Sequence, residues 1–233
     1  MIPLKDTSKT TTFPIVNTVF IVVNILLFIY EMWITSDLSL FLYQYGLVPY
    51  VVTTDLDIGI FHRIYPFFTS MFLHSGWFHI IGNMLFLYIF GDNIEDRMGH
   101  FKYFAFYIIT GLIAAFIQFV TDIKSTVPII GASGAISGVI GAYLLFYPKA
   151  KILTIVPILF FIRIIYIPAT VFIIIWFCFQ FVGGLGSLNR EGDVGGVAFW
   201  AHLGGFLAGL IIANYFDRSK NNRQKPANGY YKH

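Results

Sequence analysis

The feature that most constrains this chain is a series of apolar stretches, each close to a bilayer in length, parted by loops rich in polar residues, glycine and proline. A hydrocarbon core of roughly 30 Å takes about 20 helical residues, and only structures that satisfy their own backbone groups cross it. Such stretches fall at about 14–34, 76–93, 101–121, 134–147, 168–186 and 195–216. With 57% of residues hydrophobic and 12% charged, the 233-residue chain cannot be an ordinary soluble domain, where charged residues approach about a quarter. The expected fold class is therefore an all-α polytopic membrane protein with six transmembrane helices. The first run, Pro14 to Ile34, is too long for a signal-peptide core, and the absence of alanine before Ala105 removes an A-x-A cleavage site, so it reads as a retained helix.

Residues 1–13 are polar and form an N-terminal segment, 14–216 the membrane domain, and 217–233 a basic tail expected to be disordered. Residues 35–73 hold Pro49, Pro66, Asp55, Asp57 and Arg63 among many aromatics, too mixed for a span and too apolar for a free linker. They read as a partly embedded connector between the first two helices. Pro157, Arg163 and Pro168 interrupt the run after the fourth helix, and 151–166 is assigned to the interface. Six spans put both termini on one side. Lys5, Lys9, Arg97, Lys102, Lys149, Lys151 and the basic tail then share a side, against Arg63, Lys124 and Arg190 on the other, so both termini are expected in the cytoplasm. The expected location is the cell (plasma) membrane. The basic residues cluster at loops and tail without a nucleic-acid footprint, and the lone Cys178 excludes a disulfide within the chain. No internal repeat appears in the hydropathy, which argues against a transporter.

This topology brings the starts of the second, fourth and sixth helices to one side, and each carries polar groups. Ser133 stands in Gly131-Ala132-Ser133-Gly134 after a short extended run and opens a helix that Pro148 ends. The first N–H groups of a helix have no partner inside it and carry the positive end of its dipole, which suits the oxyanion formed when a serine attacks an amide. From Ser133 to Pro148 such a helix rises about 22 Å, less than the hydrocarbon core, which puts the serine below the surface. The second helix holds His74, His79 and Asn83, the last two at i and i+4 on one face, and the sixth holds His202. Small residues at Gly134 and Gly138, and at Ala201, Gly205 and Gly209, let the fourth and sixth helices approach closely and bring His202 near Ser133. Taken singly, a membrane serine usually bonds its own backbone and a small-residue stripe usually serves packing. Three polar groups at similar depth on one side are what point to chemistry.

Two other chemistries fail on the same residues. A metalloprotease needs H-E-x-x-H, yet His74 and His79 are five apart with no acid between them. A hydrolase elbow needs G-x-S-x-G after a strand, and here Ala135 takes the last position. The acid nearest His202 along the chain is Asp193, nine residues back, so the pattern suggests a serine–histidine dyad rather than a triad.

At these residues the chain resembles the rhomboid family of intramembrane serine proteases. The resemblance is carried by Phe68 to His74 and on to His79, Asn83 and Met84, by Ile89 to Glu95, by Gly131 to Gly134, and by Ala201 to Gly205, and it covers about 14–216. It implies a six-transmembrane-helix rhomboid-like core, with Ser133 as nucleophile and His202 as general base and then acid. His79, Asn83 and the Ser133 N–H would form the oxyanion hole, and His74 would be a supporting histidine. The chain departs from the family at Tyr65-Pro66, where many members have Trp-Arg. The function expected is that of a serine endopeptidase cutting transmembrane segments of membrane-anchored proteins. No metal, nucleotide or other cofactor is called for; the partners are transmembrane protein substrates and the lipid bilayer, with no nucleic acid. The alternative is a non-catalytic rhomboid-like protein that binds transmembrane segments, although such relatives lack the serine or the histidine. A channel or transporter ranks third, for want of a second polar face.

Overall fold

The computed structural model describes residues 1–33, 36–55, 57, 59–158, 161–187 and 197–223. The order of elements is β1 (Ile2–Asp6), α1 (Ile15–Trp33), α2 (Leu38–Tyr45), α3 (Pro49–Thr54), α4 (Gly59–Thr69), a 3-10 turn (Ser70–Phe72), α5 (Trp77–Met98), α6 (His100–Thr121), α7 (Ser133–Phe146), β2 (Lys151–Ile158), β3 (Phe161–Pro168), α8 (Ala169–Ser187) and α9 (Phe199–Arg223). Among the described residues, four helices are long and apolar enough to cross a membrane: Ile15–Trp33, His100–Thr121, Ala169–Gly186 and Phe199–Asp217. The protein is thus an integral membrane protein. The other two stretches expected to span fall in α5 and in the shorter apolar α7. α5 runs past the expected end at 93 through Asp92, Glu95, Asp96 and Arg97, and turns into α6 at Gly99, whose φ of 82° suits glycine. The 14 residues of α7 rise only about 21 Å.

α7 is the hub, buried from Gly134 to Tyr143. Its contact with α9 is backbone to backbone: a Cβ on Gly205 would stand 2.1 Å from Gly134 O, and one on Gly209 2.0 Å from Gly138 O. Without a hydrophobic force between helices in lipid, such close approach supplies the dispersion that holds the pair. The outer surface is apolar instead, with Phe78 96% and Phe101 83% exposed, as a lipid-facing wall requires.

The acidic end of α5 builds the start of α1. Glu95, fully buried, accepts from the Val16 and Asn17 N–H groups at 2.9 and 2.7 Å, and Asp96 accepts from the backbone and hydroxyl groups of Thr11 and Thr12. A carboxylate on the first N–H groups of a helix satisfies its orphan donors and its dipole together.

One expectation is corrected. The fold is not all-α, because Lys151–Ile158 pairs antiparallel with Phe161–Pro168 and Ile2–Asp6 in the polar N-terminal segment adds a third strand, in the order β1-β2-β3. The strands KILTIVPI and FIRIIYIP are dense in β-branched residues, which suit a pleated surface. Pro157 does not break the sheet, because β1 pairs with β2 only between Ile152 and Ile155, so no neighbour needs a donor at 157 on that side. The Tyr143 hydroxyl donates to the Asp6 carboxylate and lies 3.1 Å from Ser8 Oγ, tying β1 to the end of α7. At the other terminus, α9 continues to Arg223, into the tail expected to be disordered; 224–233, and the loop and helix start expected at 188–196, lie outside the described residues.

The connector consists of α2, α3, α4 and the 3-10 turn rather than extended chain. Arg63 joins its parts by donating to Val52 O at 2.9 Å and Asp55 O at 2.6 Å. Leu47 and Ile129 exchange backbone bonds at 3.1 and 2.8 Å, and Gly131 N–H donates to Ser70 O at 2.8 Å. Those three bonds hold the loop that leads into α7.

Candidate active site

Ser133 is the first residue of α7, and Gly131, two residues earlier, has a φ of 118°, a left-handed conformation that turns the chain into the helix at little cost only for glycine. His202 lies on the first turns of α9, 9% exposed. The close α7–α9 contact sets Ser133 Oγ 2.7 Å from His202 Nε2. Hydrogen-bond distance between a hydroxyl and an imidazole nitrogen is the arrangement that lets the ring take the hydroxyl proton. Gln118 of α6 fixes the α9 backbone beside it, accepting from Ala201 N–H at 3.1 Å.

His79 faces Ser133 across Gly131. A Cβ on Gly131 would be 2.7 Å from His79 Nε2 and 3.5 Å from Ser133 Oγ, so the imidazole and the hydroxyl flank the one spot that this glycine leaves open. Ser75 Oγ lies 3.3 Å from His79 Nδ1. Asn83 follows one turn later on the same face of α5, 8% exposed, and its amide donates to His74 Nε2 at 3.0 Å. The main-chain N–H of His74, not its ring, donates to Glu31 of α1 at 3.2 Å, and the rings of His74 and His79 meet edge to face at 5.0 Å. The structure therefore brings Ser133, His202 and His79 together and sets Asn83 behind His79, its amide held by His74. A cavity of about 20 Å³ behind Ser133, lined in part by Ser70, Gly131, Ala198 and Ala201, has room by volume for one water.

Sequence reasoning missed two partners. Glu31, 1% exposed near the end of α1, accepts from the His74 main-chain N–H. Gln180 of α8 stands with its Oε1 2.7 Å from His202 Nδ1. The signal for both was present: a carboxylate or an amide inside a membrane span is expensive and needs a reason. Nothing in their spacing from His74 or His202, however, names the partner.

The family model of the rhomboid domain matches residues 62–219. Rhomboid-like protein 11, chloroplastic, of Arabidopsis thaliana is 38% identical over 74 residues, 32% of this chain and 26% of that protein. Presenilin-associated rhomboid-like protein, mitochondrial, of Bos taurus is 28% identical over 158 residues, 64% of this chain and 37% of the relative. The Danio rerio presenilin-associated rhomboid-like protein A, mitochondrial, is 30% identical over 158 residues, 66% of this chain and 38% of its own length. The chain thus spans between a quarter and two fifths of the length of these curated relatives.

Proposed function

The chain belongs to the rhomboid family, and from that premise we propose that it is an intramembrane serine endopeptidase that cuts transmembrane segments of membrane-anchored proteins. The observation that carries this reading is the 2.7 Å bond between Ser133 Oγ and His202 Nε2, buried among membrane helices. Its core is a six-span bundle in which the more polar α5 and the short α7 join the four helices that are long and apolar enough to cross a membrane, with both termini in the cytoplasm and the serine on the outer side. The presence of both Ser133 and His202 favours the enzyme over a non-catalytic rhomboid-like binder.

In the proposed reaction His202 Nε2 takes the Ser133 proton as Oγ attacks a backbone carbonyl of the substrate. The tetrahedral oxyanion is stabilised by His79, by Asn83 and by the Ser133 N–H at the positive end of α7. His202 then returns the proton to the leaving amine, and water, activated by the same ring, hydrolyses the acyl-enzyme. Water comes from the outer side, where Ser133 opens its helix. The His74 ring would hold the amide of Asn83 in one orientation, while Glu31 ties down the His74 backbone.

The test is labelling of purified protein with a fluorophosphonate probe, together with cleavage of a panel of transmembrane-segment substrates. Labelling that is lost in Ser133→Ala, together with cleavage, is the expected result. An unlabelled, inactive protein that still binds the segments would overturn the enzyme reading in favour of the binder.

A further inference from the structure

His202 is gripped by α8 on two sides. Gln180 Oε1 lies 2.7 Å from Nδ1, and Trp176, one turn earlier on the same face, sets its ring 6.1 Å from the imidazole at 35°. Gln180 is the only amide in α8, and from Val171 to Val182 its neighbours are otherwise apolar apart from Cys178. The outer half of α8 is keyed to the start of α9 at Gly183, where a Cβ would be 2.3 Å from the Phe199 ring, and this contact fixes the level at which Gln180 meets His202.

An amide oxygen can only accept, so with Oε1 against the ring Nδ1 carries the proton and Nε2 presents its lone pair to the Ser133 hydroxyl. We propose that Gln180 is a positioning residue for the reaction above: its amide oxygen holds His202 in the tautomer and orientation in which Nε2 accepts the serine proton, the part that a carboxylate plays in a three-residue relay. A neutral amide suits this place because an ionised carboxylate facing lipid-embedded helices carries a desolvation cost that an amide avoids. The ring then has a defined donor side before substrate arrives, and the imidazolium formed during attack keeps an acceptor for its second N–H. The inference rests on the protease reading for its kinetic consequence and on the geometry alone for the tautomer.

The experiment compares the full chain with Gln180→Leu and Gln180→Glu, both close to glutamine in size. Nitrogen NMR of histidine-labelled protein in micelles, with His202 assigned from His202→Ala, reports the tautomer whether or not the protein is active. The expected spectrum has Nδ1 protonated in the parent and a mixture in Gln180→Leu. With cleavage established, Gln180→Leu is expected to lower kcat by roughly tenfold, the size of one neutral hydrogen bond, with KM and thermal unfolding little changed. Gln180→Glu keeps an acceptor and should retain turnover. A parent-like tautomer and kcat in Gln180→Leu would overturn the proposal while leaving the protease reading intact, and equal loss in both variants would overturn it in favour of packing. A Gln180-dependent tautomer in a protein that neither labels nor cleaves would leave the positioning geometry standing and remove the protease.

Discussion

A 2.7 Å contact between a serine and a histidine gains chemical meaning from what holds each end, and here the supports come from separate elements: Gln180 from α8, Gln118 from α6, and Gly131 from the loop that opens α7. Groups that act as one unit lose their effect together. Ser133→Ala and His202→Ala are each expected to abolish cleavage, and the double variant to be no worse than either single one in a rate assay over the uncatalysed background. Losses that multiply would mean the two residues act separately. The oxyanion donors behave differently, since each stabilises charge that exists only in the transition state. His79→Ala and Asn83→Ala should each lower kcat by on the order of 10²–10³ while fluorophosphonate-accessible Ser133 and the fold remain. Near-normal turnover in both would reassign the pair to helix packing. That Ser133, His202 and His79 would meet was legible as sequence because each is a polar residue near the start of an apolar run. Gln180 and Glu31 were not, because the pairings 22 and 43 residues apart depend on how helices pack.

At the scale of elements, α7 and α9 meet where glycine carbonyls occupy the space that side chains would need. Gly209→Ala would drive a Cβ to 2.0 Å from Gly138 O, an atom that cannot rotate away, so the helices must part. Overpacking of this kind costs about 1–3 kcal/mol, and the displacement also lengthens the His202–Ser133 contact two turns away. The variant should unfold at a lower temperature in micelles and cleave more slowly, whereas Gly186→Ala, with nothing within 4 Å, should match the parent in both. Equal behaviour of the two would remove close packing as the device that aligns the site. The six helical runs were legible from hydropathy and the small-residue stripe predicted this contact. The sheet was not, because its strands have the same isoleucine-rich hydropathy as a span and its third strand lies almost 150 residues away in the chain. The extension of α5 was hidden too: a charged cluster reads as a helix end unless its carboxylates are known to cap another helix, as Glu95 caps α1.

For the whole molecule the decisive quantity is depth. The short α7 has its N-terminus at Ser133, and with a rise of about 21 Å it cannot reach both faces of a hydrocarbon core of roughly 30 Å. The loop before it is bound to the connector at Leu47 and Ser70, so the serine stays at the level set by the bundle. A substrate that remains helical at that level keeps its carbonyls in i→i−4 bonds, and attack at Ser133 requires that it unwind locally. The enzyme proposed here should therefore prefer transmembrane segments whose outer part holds glycine, proline or polar residues, with a small residue before the cut, because the space beside Ser133 is the narrow one that Gly131 leaves against His79. Each helix breaker lowers the cost of unwinding by about 1–3 kcal/mol, enough for a tenfold or larger difference in rate. The comparison uses one substrate and its counterpart with the breakers replaced by leucine, with cleavage and binding measured separately in liposomes. Slower cleavage of the leucine form at similar binding is expected, because the cost falls on the step after docking. Equal cleavage of both would sink the unwinding requirement, and faster cleavage of soluble unfolded chains would sink the membrane-segment substrate class, since such chains have no helix to open and no bilayer to leave.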